Sequence, residues 1–314
     1  MGRIADTFRA KDWDSNINLI VFVVLVFVGA GVWWLSSNQI STGDIYFNMF
    51  ILMISMISLS FFFVDEDQKD MFKKMIKSPF TTDYDVASGL YLLGWLIPLG
   101  VNWAIRLGKG TFNIAQVMIP LSAGDIVENI YQSFSIAEAS TNPFWSWFIS
   151  VFTAGGIEEF MFGFVTMLTF SICAMWIWRM LFKEEDMMSN TAKNFYLIFA
   201  IIASGLTFGG IHILNGTYVG YMFAIAIIFR ILMNVGIYYL GLFLSFTLGY
   251  HHSNNAIWYF YEYGVEATKN ALTSFGGIII STFLIMILIY VLRNIDIVSS
   301  KTWSLIKDAF TRSD

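Results

Sequence analysis

The chain has 314 residues, of which 57% are hydrophobic and 13% charged, with a mean hydropathy of +0.64 and a net charge of −5. Soluble domains carry about 25% charged residues, so this composition excludes an ordinary soluble domain and points to the bilayer. The small acidic balance, with no basic stripe, excludes nucleic acid as a partner, and the lone Cys173 has no intrachain disulfide partner.

Residues 1–16 are polar and mixed in charge, and the apolar run Ile17 to Leu35 that follows has the length of a spanning helix. The N-terminus therefore reads as a retained first span rather than a cleaved signal peptide. Further spans are expected at 45–64, 86–105, 157–180, 194–213, 217–230, 231–250 and 273–292. The fold class is thus an all-α membrane protein: a single polytopic bundle of about eight transmembrane helices, with residues 1–314 forming one domain. The charged stretch 65–77 is expected as a solvated or surface-lying loop, and 106–143 as a segment on or dipping into the membrane. Trp33, Trp34, Trp178, Trp258 and Tyr259 fit interfacial aromatic belts.

Residues 144–156 are also apolar, and together with the span that follows they exceed one bilayer crossing. A break at Gly155-Gly156 makes Glu158 and Glu159 the first turn of a helix sunk below the outer surface. Arg230 and Asn234 interrupt the next long apolar stretch and mark a turn between the sixth and seventh spans. With the N-terminus inside, the alternating spans place 15 Lys and Arg residues inside and three outside. That asymmetry implies an integral protein of the plasma membrane with both termini cytoplasmic.

The three histidines are His212, His251 and His252, and all lie at span ends. The alternating topology brings them to the outer level that Glu158 and Glu159 occupy. Phe208 and His212 share one helical face, as do His251 and Asn255, each pair being four residues apart. Glu158 and Glu159 point about 100° apart, so one of them faces the histidines. A carboxylate in a low-dielectric pocket becomes a better base near neutral pH, an imidazole can share and return the proton, and amide or imidazole donors can hold an oxyanion. The set suits acyl-bond hydrolysis within the membrane boundary. A zinc alternative would take Glu158, His212 and His251 as ligands, but no His-Glu-x-x-His helix is present, and a cofactor-free mechanism is preferred. A proton relay, as in transporters, is a weaker reading, because the inner halves of these spans are apolar.

The motif-bearing core lies within 144–260, and its three motifs are "EEFMFG" at 158–163, "FGGIH" at 208–212 and "HHSNN" at 251–255. In this order they resemble the CPBP family, also called Abi, which includes the type-2 CAAX prenyl proteases. The resemblance implies an intramembrane endopeptidase that cleaves a membrane-associated protein or peptide. Glu158 would be the catalytic glutamate, His212 would help it activate water, His251 and Asn255 would bind the oxyanion, and Glu159 would support the site beside Phe208 and His252. Members of the family also act as immunity factors or scaffolds, which gives a non-enzymatic alternative of scaffold, immunity factor or complex subunit. The family's first motif carries an Arg where this chain has Gly163. Glu159 is therefore expected to be neutral, or hydrogen-bonded to a non-helical neighbour, with no Arg or Lys against it. The charge count places the site toward the outer face, whereas prenylated C-termini lie on the cytoplasmic side.

Overall fold

A computed structural model describes residues 53, 55, 57, 66–107, 143–182, 187–214 and 221–311. The expected first span lies outside these residues, as do most of the second and of the 106–143 segment. All the regular elements among the described residues are helices, joined by short turns, with no strand among them. Among the described residues, four helices are long and apolar enough to cross a membrane: Tyr84–Asn102, Pro143–Phe182, Asn190–His212 and Phe275–Arg293.

Helix α1 (Glu66–Lys77) occupies the stretch expected as a loop. Its Phe72 is buried against the core, and Asp70, Lys73, Lys74 and Lys77 are exposed on the outer side of an amphipathic helix. Helix α2 (Tyr84–Leu107) is started by Asp83, whose Oδ1 accepts from the backbone N–H groups of Asp85 and Val86 at 3.0 and 3.3 Å. The third element, α3, runs without interruption from Pro143 to Phe182. It contains two π-turns, Ile149–Thr153 and Met161–Val165, with α-helical turns between and beyond them. The expected break at Gly155-Gly156 does not occur; both residues are helical, and Glu158 and Glu159 lie in the middle of α3.

Helix α4 (Asn190–Leu214) returns along α3, and α5 (Tyr221–Tyr238) follows it. The turn after α5 spans residues 239–242 and uses positive φ at Gly241 (65°) and at Phe243 (53°). The expected division at 230/231 is therefore displaced: Arg230 and Asn234 are interior to α5 and fully buried. Without Arg230, the Lys/Arg count of the inside segments becomes 14. Helix α6 (Phe243–Thr273) contains His251 and His252 in its interior and bends at Gly264, where φ is 82°. Helix α7 (Phe275–Arg293) is capped by Ser274, whose Oγ accepts from the Gly277 N–H at 3.3 Å. Its apolar side chains, Ile278, Ile279, Phe283 and Met286 among them, are exposed, as on a lipid-facing span. Helix α8 (Ile295–Thr311) ends the described chain.

Two glycines let α2 and α6 approach closely. An added Cβ at Gly249 of α6 would lie 2.1 Å from the Tyr91 carbonyl oxygen of α2, and one at Gly94 would lie 2.3 Å from the Phe246 carbonyl oxygen. Small residues let backbones approach where the lipid gives no hydrophobic drive between helices. The main core gathers Phe162, Val165, Ile172 and Trp176 of α3 with Phe72, Tyr196, Phe208 and Ile211. Trp178 and Tyr259, expected in interfacial belts, are buried instead: Trp178 stacks among Phe182, Phe195 and Tyr196, and the Tyr259 hydroxyl reaches Ser146 Oγ at 3.3 Å.

Candidate functional site

The site forms where α3, α4, α5 and α6 meet. The π-turn at Met161–Val165 displaces the backbone hydrogen bonds of α3, and the carbonyls it frees are taken by side chains of other helices. The Phe162 oxygen accepts from Ser204 Oγ of α4 at 2.7 Å and from Asn234 Nδ2 of α5 at 3.3 Å. The Gly163 oxygen accepts from the Tyr238 hydroxyl at 2.9 Å. In an apolar medium each such carbonyl requires a partner, so the π-turn both widens α3 beside the glutamates and fastens α4 and α5 to it.

Glu158 and Glu159 diverge as helix geometry requires, and His251 bridges them. Its Nδ1 lies 3.0 Å from Glu159 Oε1, and its Nε2 lies 3.4 Å from Glu158 Oε2. His212 approaches Glu158 from the other side, with Nε2 3.8 Å from Oε1. His212 Nδ1 lies 2.7 Å from the Phe208 carbonyl oxygen. A carbonyl only accepts, so Nδ1 carries a proton and Nε2 is the ring nitrogen turned toward Glu158. The same logic at an ionised Glu159 puts a proton on His251 Nδ1. Both Nδ1 positions are thus committed, and the atoms free to gain or lose protons are the two Nε2 atoms and the Glu158 carboxyl between them. Glu158 is the more accessible glutamate, its side chain 19% exposed against 2% for Glu159.

Contrary to the expectation, Glu159 has a basic partner, and its neighbours are helical residues. Arg230 Nη1 donates to its Oε1 at 2.8 Å, forming a fully buried ion pair. Position 163 carries no side chain, but α5 supplies a guanidinium to the same carboxylate. Asn234 Oδ1 accepts from Arg230 Nε and Nη2 at 3.2 and 2.7 Å. Sequence reasoning assigned Arg230 to a turn. The signal that could have found it was an arginine set in an apolar run, which is costly in a bilayer unless it is paired.

The other expected residues separate into different roles. Asn255 Nδ2 donates to the Ser150 carbonyl oxygen at 3.1 Å, inside the first π-turn. His252 faces away from the glutamates: its Nδ1 is 3.0 Å from the Tyr91 hydroxyl, and its ring packs edge-on to Phe152 at 4.8 Å between centroids. Phe208 packs against His212 with ring centroids 4.2 Å apart and meets Phe162 edge-on at 5.0 Å, which orients the imidazole. Gly155 explains the glycine pair that suggested a break. A Cβ there would lie 3.1 Å from His252, 3.3 Å from Asn255 and 3.4 Å from His251, so glycine makes room for the α6 side chains.

The histidines of α6 do not end a helix. His251 follows Phe243 by eight residues, ~12 Å along the helix. Leu244 at that end donates its N–H to the Pro79 carbonyl oxygen at 2.8 Å. The site therefore lies within the helix bundle, about two turns from the end that carries Pro79, and not at the opposite end of α6. Among the described residues, no group of three or more His, Cys, Asp and Glu is arranged to hold a metal ion. No family model, curated protein or solved structure matches this chain.

Proposed function

We propose that this chain is an intramembrane peptidase of the CPBP type, which hydrolyses a peptide bond of a membrane-associated protein with water activated by Glu158. The observation that carries the reading is the placement of the Glu158 carboxyl between two imidazole Nε2 atoms, at 3.8 Å from His212 and 3.4 Å from His251, with both Nδ1 atoms engaged elsewhere. A water beside Glu158 and His212 Nε2 gives up a proton to the carboxylate as its oxygen bonds to the substrate carbonyl carbon. Protonated His251 Nε2 and the remaining Asn255 N–H stabilise the oxyanion. The C–N bond then breaks, and Glu158 returns the proton to the leaving amine.

Zinc on Glu158, His212 and His251 is the cofactor alternative. The Nδ1 bonds to Glu159 and to the Phe208 carbonyl are of the kind that orient metal-bound imidazoles. We favour the metal-free route because Glu158 is then free to act as base. The further parts of the reading are a bundle of about eight spans, a plasma-membrane location and cytoplasmic termini. A site about two turns from the Pro79 end removes the reason to assign it to the outer face, and a substrate whose C-terminus approaches from the cytoplasm becomes compatible. The test is a mass-spectrometric survey of membrane-protein termini in cells carrying wild type or Glu158→Gln. New truncated termini found with wild type alone support the peptidase. Identical termini, with the variant folded and its partners retained, would instead favour the scaffold, immunity-factor or subunit reading, in which the buried network only holds the helices.

A further inference from the structure

We propose that Arg230 is a positioning residue of this site and that Gly163 provides the space its guanidinium needs, so that the two positions act as one unit. The effect on product formation rests on the peptidase reading; the effect on His251 rests on geometry alone.

The guanidinium is fixed on two sides. Arg230 is fully buried, and it donates to Glu159 through Nη1 and to Asn234 through Nε and Nη2. Asn234 is itself tied to α3, because its Nδ2 donates to the Phe162 carbonyl oxygen that the π-turn frees. Gly163 is the next residue along. A Cβ added there would lie 3.0 Å from Arg230 Nη2 and 2.8 Å from Leu244 Cδ2. Position 163 follows Glu159 by about one turn, so a side chain there would head toward the same carboxylate. The α5 guanidinium occupies the space that such a side chain would fill.

The consequence passes through one oxygen. Glu159 Oε1, which accepts from Arg230, also accepts from His251 Nδ1 at 3.0 Å. Arg230 holds this buried carboxylate in place. The carboxylate holds the proton on Nδ1 and fixes the ring, and His251 Nε2 is thereby presented to Glu158. Arg230 touches no reacting atom; it acts through Glu159 and His251. Without it, Glu159 Oε1 is no longer held from α5, and the acceptor that sets the His251 tautomer is free to shift.

The test compares wild type, Arg230→Met, Gly163→Arg and the double variant in detergent, with 15N-labelled histidine. One readout is the Nδ1-bound proton of His251; the other is the yield of product termini. Arg230→Met is expected to lose the Nδ1–H signal and to lower product by about 10–100-fold, the usual effect of removing an orienting outer-shell partner. Gly163→Arg alone crowds the same space and is expected to disturb both readouts. The double variant supplies the guanidinium from α3 and is expected to recover both. Retention of the Nδ1–H signal by folded Arg230→Met would overturn the proposal, as would a folded double variant no better than the worse single. If Arg230→Met does not fold, Gly163→Ala decides the point: its methyl presses on Nη2, and an unchanged signal and yield would count against the unit. A wild type that forms no product defeats the peptidase reading and leaves the Nδ1–H comparison to decide this one.

Discussion

Replacing Arg230 with Met keeps most of the side-chain length and removes the charge. Glu159, 2% exposed and 2.8 Å from Nη1, is then a buried carboxylate without its counter-ion. Breaking one side of a buried ion pair costs about 3–5 kcal/mol. The two donors lost at Asn234 Oδ1 add about 1 kcal/mol each. Glu159→Gln strands the guanidinium and is expected to cost a similar 3–5 kcal/mol. Replacing both residues together removes both charges, so the double variant is expected to be more stable than Arg230→Met. The double-mutant cycle should give a coupling of about 2–3 kcal/mol. Reversible unfolding in mixed micelles, followed by the fluorescence of the chain's 11 tryptophans, measures it. Ordinary interhelical hydrogen bonds in a membrane protein average about 0.6 kcal/mol. A coupling at or below that level, with additive single costs, would refute the claim that this pair anchors the site.

Three further predictions concern the helix contacts, pH and metal. Gly249→Ala forces a Cβ to within 2.1 Å of the Tyr91 carbonyl oxygen, where only backbone could yield. It should destabilise the protein by about 1–3 kcal/mol in the same unfolding assay, while Gly100→Ala, which meets nothing within 4 Å, should not. At the Pro79 end, Lys301 Nζ bonds Asp85 at 2.8 Å and pairs with Asp83 at 3.1 Å, fastening α8 to the start of α2. The Lys301 hydrogen bond holds the Asp83 carboxyl below its usual value, and the Asp85 hydrogen bond, followed by that of Asp83, holds the Lys301 ammonium above its usual value. The Asp83 contribution is therefore present above its unfolded value and is lost as pH falls through its folded one. The Lys301 contribution is present below its unfolded value and is lost as pH rises through its folded one. Hydrogen exchange of α8 amides should be slowest between these limits and faster at both extremes; a protection profile flat from acid to alkali would contradict it. Dialysis against a strong chelator should leave product formation unchanged, whereas loss of activity with recovery on adding zinc would move Glu158 from base to ligand.

Much of this site was legible in the sequence because its chemistry is rare in an apolar chain. Two adjacent glutamates and three histidines stand out in a chain that is 57% hydrophobic and 13% charged, and Glu158, His212 and His251 do meet in the structure. What was not legible depends on contacts between helices. Gly155-Gly156 reads as a break from one strand of sequence, but here glycine makes room for His251, His252 and Asn255 of α6. Arg230 and Asn234 look like a turn until their partners on α3 are known. The true turn at 239–242 hides because Leu240, Leu242 and Phe243 continue the apolar pattern, leaving Gly241 as its only local mark. The π-turns on either side of Glu158 have no periodic signature at all, since their freed carbonyls are satisfied by Ser204, Asn234, Tyr238 and Asn255 from distant segments.

The central claim is that Glu158 activates water for attack on a peptide bond. Its most direct test is to incubate isolated membranes containing wild type or Glu158→Gln in 18O-labelled water and to map the newly formed C-termini by mass spectrometry. The account predicts C-terminal carboxylates labelled with 18O at defined positions in the wild-type membranes, and none at those positions with Glu158→Gln. The same labelled termini in both membranes, or none in either, would contradict it.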